Sequence, residues 1–165
     1  MISLRRFAAL SLALALVSIG RPGLAGQATN FTLRSLKGDF IRLSDYKDKV
    51  VYLAFWATWC KPCLTELKHL ERFYKKYQRN GLVVLGISID TPETRARVRT
   101  VVGRYKLTFP VAIDSESQVV NLYNKKRALP FSALFRKNQL HSKRTAFQVG
   151  DLPQIESEIR KALGL

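Results

Sequence analysis

Both cysteines of this chain lie in residues 55–67, a stretch that reads FWATWCKPCLTEL. The run Val50–Trp56 leads into it and is apolar throughout, which predicts a strand buried on both faces of a sheet. After the cysteines, apolar residues recur every three or four positions between charged ones, which predicts an amphipathic helix ending near Gly81. The pair Cys60 and Cys63 therefore lies where a buried strand meets the start of a helix.

The spacing of the two cysteines bears on three kinds of chemistry: a metal site, a structural disulfide and a redox couple. A structural zinc site normally needs about four protein ligands in a tetrahedral arrangement. One cysteine pair with His69 and His141 at unrelated spacings does not provide that set, so no metal is predicted. A disulfide that closes so short a loop adds little stability through chain entropy, which disfavours a structural role. The redox couple is the interpretation that remains.

Cys60 and Cys63 are predicted to exchange disulfides at the N-terminus of the helix. Unpaired backbone N–H groups and the helix dipole favour a thiolate on Cys60 there, so we expect its pKa to lie below the free value of about 8.5. Lys61 adds positive charge beside it, and Pro62 fits the first helical turn because its missing N–H group would have no partner in that position. Cys63 is predicted to resolve the mixed disulfide formed on Cys60.

Two neighbours of the pair are further candidate site residues. Trp59 precedes the predicted nucleophile and is expected to shape the surface that faces a client protein. Glu66 follows Cys63 by three residues, so both lie on one helical face and Glu66 is placed to exchange protons near the resolving thiol. An alternative explanation is that an acidic residue stabilises the first turns of a helix. The sequence leaves both roles of Glu66 open.

The rest of the chain predicts strands alternating with helices in a single domain. The predicted strands lie at residues 31–33, 40–43, 50–56, 82–89, 109–113, 131–135 and 141–147, and the predicted helices at residues 61–80, 92–105, 118–123 and 152–163. The first two strands form an N-terminal β-hairpin around Gly38, and Asp151 is predicted to cap the last helix. This order predicts an α/β fold with a central mixed sheet flanked by helices.

Residues 1–25 are predicted to direct the chain out of the cytoplasm. Arg5 and Arg6 precede an apolar run from Phe7 to Ile19, and small residues follow up to Ala25, a pattern typical of a bacterial signal peptide. An uncleaved membrane anchor is the alternative, although the apolar run is shorter than the roughly 20 residues that span a bilayer. We therefore expect a periplasmic or otherwise extracytoplasmic location, with anchoring left open, and one domain over residues 26–165.

The charge of the chain favours anionic partners. Without Arg5, Arg6 and Arg21 it carries 25 basic and 12 acidic side chains, a net charge of about +13. Such a charge favours a membrane face, a cell wall or acidic proteins. The basic residues are scattered rather than gathered with stacking aromatic side chains, so no nucleic-acid partner is predicted. An anionic surface is therefore a predicted partner, and an ordinary solvated basic surface is the alternative.

The motifs resemble the TlpA/ResA-like branch of the thioredoxin superfamily, a group of exported bacterial thiol-disulfide oxidoreductases. The resemblance rests on the tryptophan-flanked cysteine stretch, on the segments Asn30-Phe-Thr-Leu and Leu43-Ser-Asp-Tyr-Lys, and on the strand from Val83 to Asp90. It covers nearly all of residues 26–165. It implies a thioredoxin fold in which the two cysteines alternate between dithiol and disulfide.

The resemblance also implies a cis-proline that faces the cysteines, and Pro130 is the matching residue. A cis bond there leaves the backbone of Leu129 beside the active site, where it can pair with a client strand. An ordinary trans-proline that opens a strand is the alternative. Ala54 departs from the general family, because thioredoxins carry a buried aspartate at that place. This departure makes Glu66 the better candidate for proton transfer.

The family implies an enzyme that reduces disulfides in exported proteins, apocytochromes c among them, and that a membrane-bound thiol-disulfide electron donor resets. A thiol oxidase or peroxidase of the same fold and a non-catalytic redox-sensing binding module are the alternatives. No cofactor is implied, and a monomer is expected. The predicted catalytic residues are Cys60, Cys63 and Glu66, and the predicted substrate-binding residues are Trp59, Lys61, Pro62, Leu129 and Pro130.

Overall fold

The computed structural model of the protein describes residues 26–165. The strands in this part of the chain are β1 (Thr32–Arg34), β2 (Phe40–Arg42), β3 (Val50–Trp56), β4 (Leu82–Ser88), β5 (Val111–Ile113), β6 (Phe131–Arg136) and β7 (Gln139–Thr145). The α-helices are α1 (Lys61–Tyr77), α2 (Ala96–Tyr105), α3 (Gln118–Tyr123) and α4 (Leu152–Leu163). Residues 1–25, and with them the predicted signal peptide or anchor, lie outside the described residues.

A five-stranded sheet in the order β5-β4-β3-β6-β7 forms the centre of the fold. β3 pairs in parallel with β4, and β4 with β5, whereas β6 runs antiparallel to β3 and β7 antiparallel to β6. All seven residues of the central strand β3 are buried, as its continuous apolar sequence predicts. The predicted fold class, an α/β fold with a central mixed sheet, is confirmed.

The side chains of β3 alternate between the two faces of the sheet, and helices cover both. Tyr52 faces α1, where its hydroxyl group reaches a side chain of that helix. Phe55 faces the other way and packs on Tyr123 of α3, with ring centroids 5.9 Å apart. α4 lies beside α1 on the Tyr52 face, since Tyr77 of α1 donates a hydrogen bond to Glu156 of α4. The site described below is built on this α1 and α4 face.

The N-terminal hairpin is also confirmed. β1 and β2 pair antiparallel around Gly38, whose φ of +103° lies in the left-handed region that glycine adopts without strain. The N–H group of Leu36 donates to the carbonyl of Val111 at 2.9 Å, which attaches the hairpin to β5. The hairpin thus covers an edge strand that would otherwise expose unpaired backbone groups.

Three predicted boundaries are wrong by a few residues. α2 begins at Ala96 rather than at residue 92, because the amides of residues 94 and 95 donate to the carbonyl of Thr91 and close a turn first. β5 begins at residue 111 because Pro110 has no N–H group to donate to the ladder. β7 spans residues 139–145 and ends before Ala146, whose φ of +74° is incompatible with an extended strand.

The predicted capping role of Asp151 is wrong in its detail. Asp151 precedes α4, but its carboxylate makes no hydrogen bond to an amide of that helix. Instead it accepts a hydrogen bond from the N–H group of Gln148 at 2.8 Å. The physical reason is that a 3₁₀ turn, Val149–Asp151, leads directly into α4, so the capping interaction lies at the start of that turn.

Candidate functional site

The Cys60–Cys63 disulfide lies at the junction of β3 and α1, with the two Cα atoms 5.3 Å apart. Cys60 is the N-cap residue of α1 and has an extended backbone, and its sulfur accepts a hydrogen bond from the N–H group of Cys63 at 3.3 Å. The predicted position of Cys60 at a helix N-terminus is therefore confirmed. An amide aimed at this sulfur stabilises a thiolate there once the disulfide is reduced.

The two sulfurs differ in accessibility. Cys60 is 6% exposed and Cys63 is 1% exposed. Both cysteines are buried, and Cys60 is the more exposed of the two. This order of exposure matches the predicted roles, with Cys60 as the attacking residue and Cys63 as the resolving one.

The surface around Cys60 is formed by three of the predicted substrate-binding residues. Trp59 is 59% exposed, an unusual state for so large an apolar side chain. Lys61 and Pro62 are exposed as well and occupy the first two positions of α1. The disulfide thus lies in a shallow surface with an apolar ring and a positive charge beside it, a shape that suits a protein client better than a small molecule.

The proline predicted to face the cysteines has a cis peptide bond, between Leu129 and Pro130. Phe131, the next residue, is the register partner of Phe55 in the β3–β6 ladder. The proline therefore lies at the end of the sheet where β3 leads into the cysteine loop. Asn124 fixes the approach to it, because its Nδ2 group donates to the carbonyl of Ala128 at 2.7 Å. Pro130 is buried and Leu129 is half-buried.

A buried aspartate, Asp90, holds the loop that carries the cysteines. Its carboxylate accepts hydrogen bonds from the N–H group of Thr58 at 2.9 Å, from the Thr58 hydroxyl at 2.6 Å and from the Ser88 hydroxyl at 2.7 Å. Asp90 lies two residues after the end of β4, the parallel neighbour of β3. It thereby fixes the backbone two residues before Cys60.

Glu66 is buried on the Tyr52 face of the sheet, with 3% of its surface exposed. The Tyr52 hydroxyl lies 3.1 Å from its Oε1 and 2.9 Å from the Ser132 hydroxyl of β6. Burial raises the pKa of Glu66 to about 7, against the opposing effects of hydrogen bonding by Tyr52 and Ser132 and of the Arg144 charge. The pKa of Tyr52 is raised well above its ordinary value, first by burial and then by Glu66.

Two properties of Glu66 bear on its predicted role. Its pKa near neutrality means that it exchanges a proton readily at physiological pH, as an acid or base in thiol chemistry requires. It also lies three residues beyond Cys63 in α1, so both side chains project from the same side of the helix. A capping role would place the carboxylate at exposed backbone amides, and Glu66 instead meets the hydroxyl of Tyr52.

A cavity of about 530 Å³ lies away from these residues, between the N-terminal hairpin and α2. Its lining includes Phe40, Tyr74 and Val102 and none of the predicted site residues. Within residues 26–165, no three or more histidine, cysteine, aspartate or glutamate side chains are grouped so that they could hold a metal ion. Among the helices of this same part of the chain, none has the length and apolar character needed to cross a membrane.

Sequence reasoning missed Asp90, Tyr52 and Ser132. The signal for Asp90 is its position just beyond the carboxyl end of β4, because the carboxyl ends of neighbouring parallel strands meet at one edge of a sheet. The signal for Tyr52 is a hydroxyl group within an otherwise apolar buried strand, since a buried tyrosine usually finds a polar partner. Ser132 carries no comparable signal, because its role depends on the pairing of β6 with β3.

Comparisons with known proteins point to one family. The model of the AhpC/TSA family matches residues 24–156. A protein of Geobacillus kaustophilus named thiol-disulfide oxidoreductase ResA is 41% identical over 111 residues, which cover 67% of this chain and 62% of that protein. The matched part therefore spans about three fifths of the length of this curated relative.

Solved structures share the fold. A candidate thiol:disulfide interchange protein DsbE from Chlorobium tepidum superposes with a TM-score of 0.78 and 29% identity, covering 84% of this chain and 96% of the other. The thioredoxin domain of a thiol-disulfide oxidoreductase from Bacteroides vulgatus superposes with a TM-score of 0.69 and 22% identity, covering 83% and 99%. At that identity the second likeness concerns the fold alone, and together the two confirm the predicted thioredoxin fold.

Proposed function

This chain belongs to the AhpC/TSA family, and on that premise we propose that it is a thiol-disulfide oxidoreductase that reduces disulfides in exported proteins. The observation that carries the proposal is the Cys60–Cys63 disulfide at the N-terminus of α1, with an amide hydrogen bond to the more exposed sulfur. The names of the ResA relative and of the DsbE structure support the same chemistry.

The proposed reaction begins with the reduced pair. The Cys60 thiolate attacks one sulfur of a client disulfide, a bond forms between these two sulfurs, and the other client sulfur leaves as a thiolate. Cys63 then loses its proton and attacks the sulfur of Cys60, and the second client sulfur leaves as a thiolate. The client gains two electrons, and the enzyme pair is oxidised to the disulfide. A membrane-bound thiol-disulfide donor returns two electrons to the pair.

Glu66 is proposed to accept the proton that Cys63 loses. A thiol of ordinary pKa, about 8.5, attacks slowly near neutral pH unless a base removes its proton. Glu66 is buried on the same side of α1 as Cys63, and its pKa of about 7 leaves about half of its molecules ionised at that pH. General thioredoxins use a buried aspartate of the strand for this proton transfer. This chain has Ala54 at that position, and Glu66 is proposed to take over the role.

Client binding is proposed to use Trp59, Lys61, Pro62, Leu129 and Pro130. The exposed ring of Trp59 offers apolar contact area beside Cys60. The segment before the cis-proline is held in place through Asn124, so the backbone of Leu129 offers a fixed edge with which an extended client segment can pair. Such pairing gives affinity without strict sequence selection, which suits a reductase with several clients.

The location and partners follow from residues 1–25 and from the charge. The signal-like segment supports a periplasmic or otherwise extracytoplasmic site of action, either free or anchored. Exported proteins acquire disulfides in that compartment, so clients such as apocytochromes c need a reductase there. The net charge of about +13 in residues 26–165 supports binding to an anionic surface or an acidic client.

The test is reduction of a disulfide-bonded peptide by the reduced protein, followed by thiol labelling. We expect the wild-type protein to reduce the peptide stoichiometrically and Cys60→Ser to be inactive. A Cys63→Ser variant is expected to accumulate a mixed disulfide between Cys60 and the peptide. An inactive wild-type protein that still binds its partners would instead support the redox-sensing binding module.

A further inference from the structure

A line of polar groups leads from Glu66 across the sheet toward its β7 edge. Glu66 lies 3.1 Å from the hydroxyl of Tyr52, which lies 2.9 Å from the hydroxyl of Ser132. Ser132 is the register partner of Arg144 in the β6–β7 ladder. Arg144 in turn donates a hydrogen bond to Glu158 of α4 at 3.1 Å. These groups extend from the core beside the cysteine helix to the partly exposed edge strand.

Strand register places these groups on one face of the sheet. Ser132 pairs with Ala54 of β3 as well as with Arg144 of β7, and register partners project to the same side. Ala54 lies two residues from Tyr52, so these two residues of β3 share that side. The small side chain of Ala54 leaves room beside Ser132 that a larger residue would occupy. The line of hydroxyl groups is therefore a product of the topology of the sheet.

The two hydroxyl groups can carry hydrogen bonds in either direction. A hydroxyl has one hydrogen to donate and two lone pairs to accept with. When Glu66 is ionised, Tyr52 donates to Glu66 and Ser132 donates to Tyr52. When Glu66 is protonated, Glu66 donates to Tyr52 and Tyr52 donates to Ser132. Each protonation state of Glu66 thus has a fully satisfied arrangement. The protonated state becomes the ionised one when each group passes its proton to the next and Ser132 releases one proton to water.

The line ends at a small polar cavity. Its volume is about 10 Å³, close to the roughly 10–15 Å³ that one water molecule needs. The cavity is lined by Tyr52, Ser132, Leu134, Ser142, Lys143, Arg144 and Glu158. Lys143 is exposed, and Ser142 and Arg144 are half-buried, so the cavity adjoins the solvent side of β7. Ser142 donates a hydrogen bond to Glu158 at 2.8 Å, which adds a polar group to the same wall.

We propose that Tyr52 and Ser132 form a proton path that connects the buried carboxyl group of Glu66 with solvent at the cavity beneath β7. This inference rests on the proposed function, since it deepens the role of Glu66 as the base for Cys63. A buried base that takes a proton in each cycle must return it before the next cycle. The path provides that return at the β7 edge of the sheet, away from the junction of β3 and α1 where a client would cover the cysteines.

In one reaction cycle, one proton enters the path at Glu66 and one proton leaves it at Ser132. Cys63 gives its proton to Glu66 as its sulfur bonds to the sulfur of Cys60. The proton of Glu66 then passes to the oxygen of Tyr52, the Tyr52 proton passes to Ser132, and the Ser132 proton leaves to water. Glu66 is ionised again, and one proton has been released. When the donor reduces the disulfide, the same steps run in reverse.

Charged groups on several elements shift the pKa of Glu66 and so set the pH range in which the path works. Arg144 of β7 favours its ionised form, and Asp151, just before α4, disfavours it. Glu158 of α4 pairs with Arg144 and so moderates that influence. Cys63 lies three residues before Glu66 on the same side of α1, and a thiolate there, when formed, opposes ionisation of Glu66.

The test measures two steps separately in rapid-mixing experiments. Formation of the mixed disulfide on Cys60 is followed in a Cys63→Ser background, and its resolution is followed with Cys63 intact. For Tyr52→Phe and Ser132→Ala we expect unchanged formation. At neutral pH we expect resolution slowed by about tenfold in the molecules whose Glu66 is protonated, because Glu66 must first release that proton through the path. We expect Ser132→Thr, which keeps the hydroxyl, to resolve at the wild-type rate. Tyr77→Phe, which removes a hydroxyl of α1 off the path, serves as the matched control.

Two readouts separate a proton path from a merely structural role. Imidazole, a small proton carrier, is expected to restore resolution in Ser132→Ala in a concentration-dependent way, and the solvent isotope effect is expected to fall when the path is cut. Wild-type resolution rates in Tyr52→Phe and Ser132→Ala would overturn the path, as would slow resolution that imidazole leaves unchanged. If Tyr52→Phe does not fold, the comparison of Ser132→Ala with Ser132→Thr decides. Failure to form any mixed disulfide would overturn the proposed function instead.

Discussion

The Oε1 atom of Glu66 lies 3.1 Å from the hydroxyl of Tyr52, across the interface between α1 and β3. This carboxyl group is thus supplied by the helix that carries the cysteines, while the strand supplies a hydroxyl. Ala54 lies on the same side of β3 as Tyr52, so Glu66 places a carboxyl group on the side of the sheet that Ala54 faces.

Glu66 makes the stability of the protein depend on pH. Its pKa is about 7 in the folded protein and about 4.5 when the chain is unfolded, so between these values the folded state binds more protons. Its contribution is fully present below pH 4.5 and is lost as the pH rises through 7. We therefore expect Glu66→Gln to match the wild type at low pH and to exceed it by about 3 kcal/mol above neutrality. Denaturant unfolding of the oxidised protein at several pH values measures this difference.

Glu156→Gln is the control for that experiment. Its carboxylate pairs with Lys76 at the surface, and this pairing lowers the pKa of Glu156. Its loss is therefore expected to destabilise the protein slightly at neutral pH, opposite in sign to the effect of Glu66→Gln. Equal stability of Glu66→Gln and the wild type at pH 8 would show that burial does not perturb Glu66.

The two cysteines are expected to differ in what their substitutions do. Cys60→Ser removes the exposed sulfur and should abolish disulfide reduction, with no client adduct. Cys63→Ser removes the buried sulfur and should leave attack intact, so that a client adduct persists for hours. Mass spectrometry of quenched mixtures measures the adduct. An adduct on Cys63 in the Cys60→Ser variant would reverse the assigned roles.

Asp90 is expected to support both the stability of the protein and the position of Cys60. Asp90→Ala leaves the N–H group of Thr58 without the buried carboxylate that accepts from it, and we expect a loss of about 3 kcal/mol in the free energy of unfolding. The folded fraction should attack client disulfides more slowly, since the loop before Cys60 is no longer held. Glu93→Ala, an exposed acid in the next turn, is the control and should change neither quantity. Unaltered stability of Asp90→Ala would contradict this role.

The sequence specifies the elements of the site better than the contacts between them. The apolar run of β3, the periodicity of α1 and Pro62 at its start are local patterns, and they predict correctly that Cys60 begins a helix. No local sequence pattern predicts the hydrogen-bonded hydroxyl groups of Tyr52 and Ser132 beside Glu66. Tyr52 and Ser132 are 80 residues apart in the chain and meet only because β3 and β6 pair in one particular register.

The wrong boundaries have a related cause. Hydrophobic periodicity averages over several residues, whereas the end of an element is set by single backbone groups. Pro110 has no N–H donor, so β5 begins only after it, and the positive φ angle of Ala146 ends β7. Asp151 is a residue type that commonly caps helices, but its carboxylate accepts from the amide of Gln148, before the 3₁₀ turn that leads into α4. Such competition between neighbouring partners is decided by three-dimensional geometry.

Lys125 and Lys126 are expected to favour acidic clients. Lys125 and Lys126 are exposed in the segment before Pro130, at the end of the sheet where β3 ends. We expect kcat/KM for an acidic disulfide peptide to fall roughly tenfold between low and high salt, and to lose this dependence in Lys125→Glu/Lys126→Glu. Lys47→Glu/Lys49→Glu changes the charge equally before β3, at the opposite end of the sheet, and is the control. Equal effects of the two double variants would show a response to net charge alone.

The reduction potential decides the direction of the reaction. A dithiol is stabilised, and its potential raised, to the extent that the protein stabilises its thiolates. Here an amide favours the Cys60 thiolate, but Cys63 is almost fully buried, which disfavours a second negative charge. We therefore expect a potential closer to the roughly −270 mV of thioredoxin than to the roughly −120 mV of a strong oxidant. Equilibration with thiol–disulfide buffers followed by alkylation measures it, with Cys60→Ser as the blank. A value near that of the oxidant would contradict the reductase and favour the thiol oxidase, because electrons would then flow from the client to the pair.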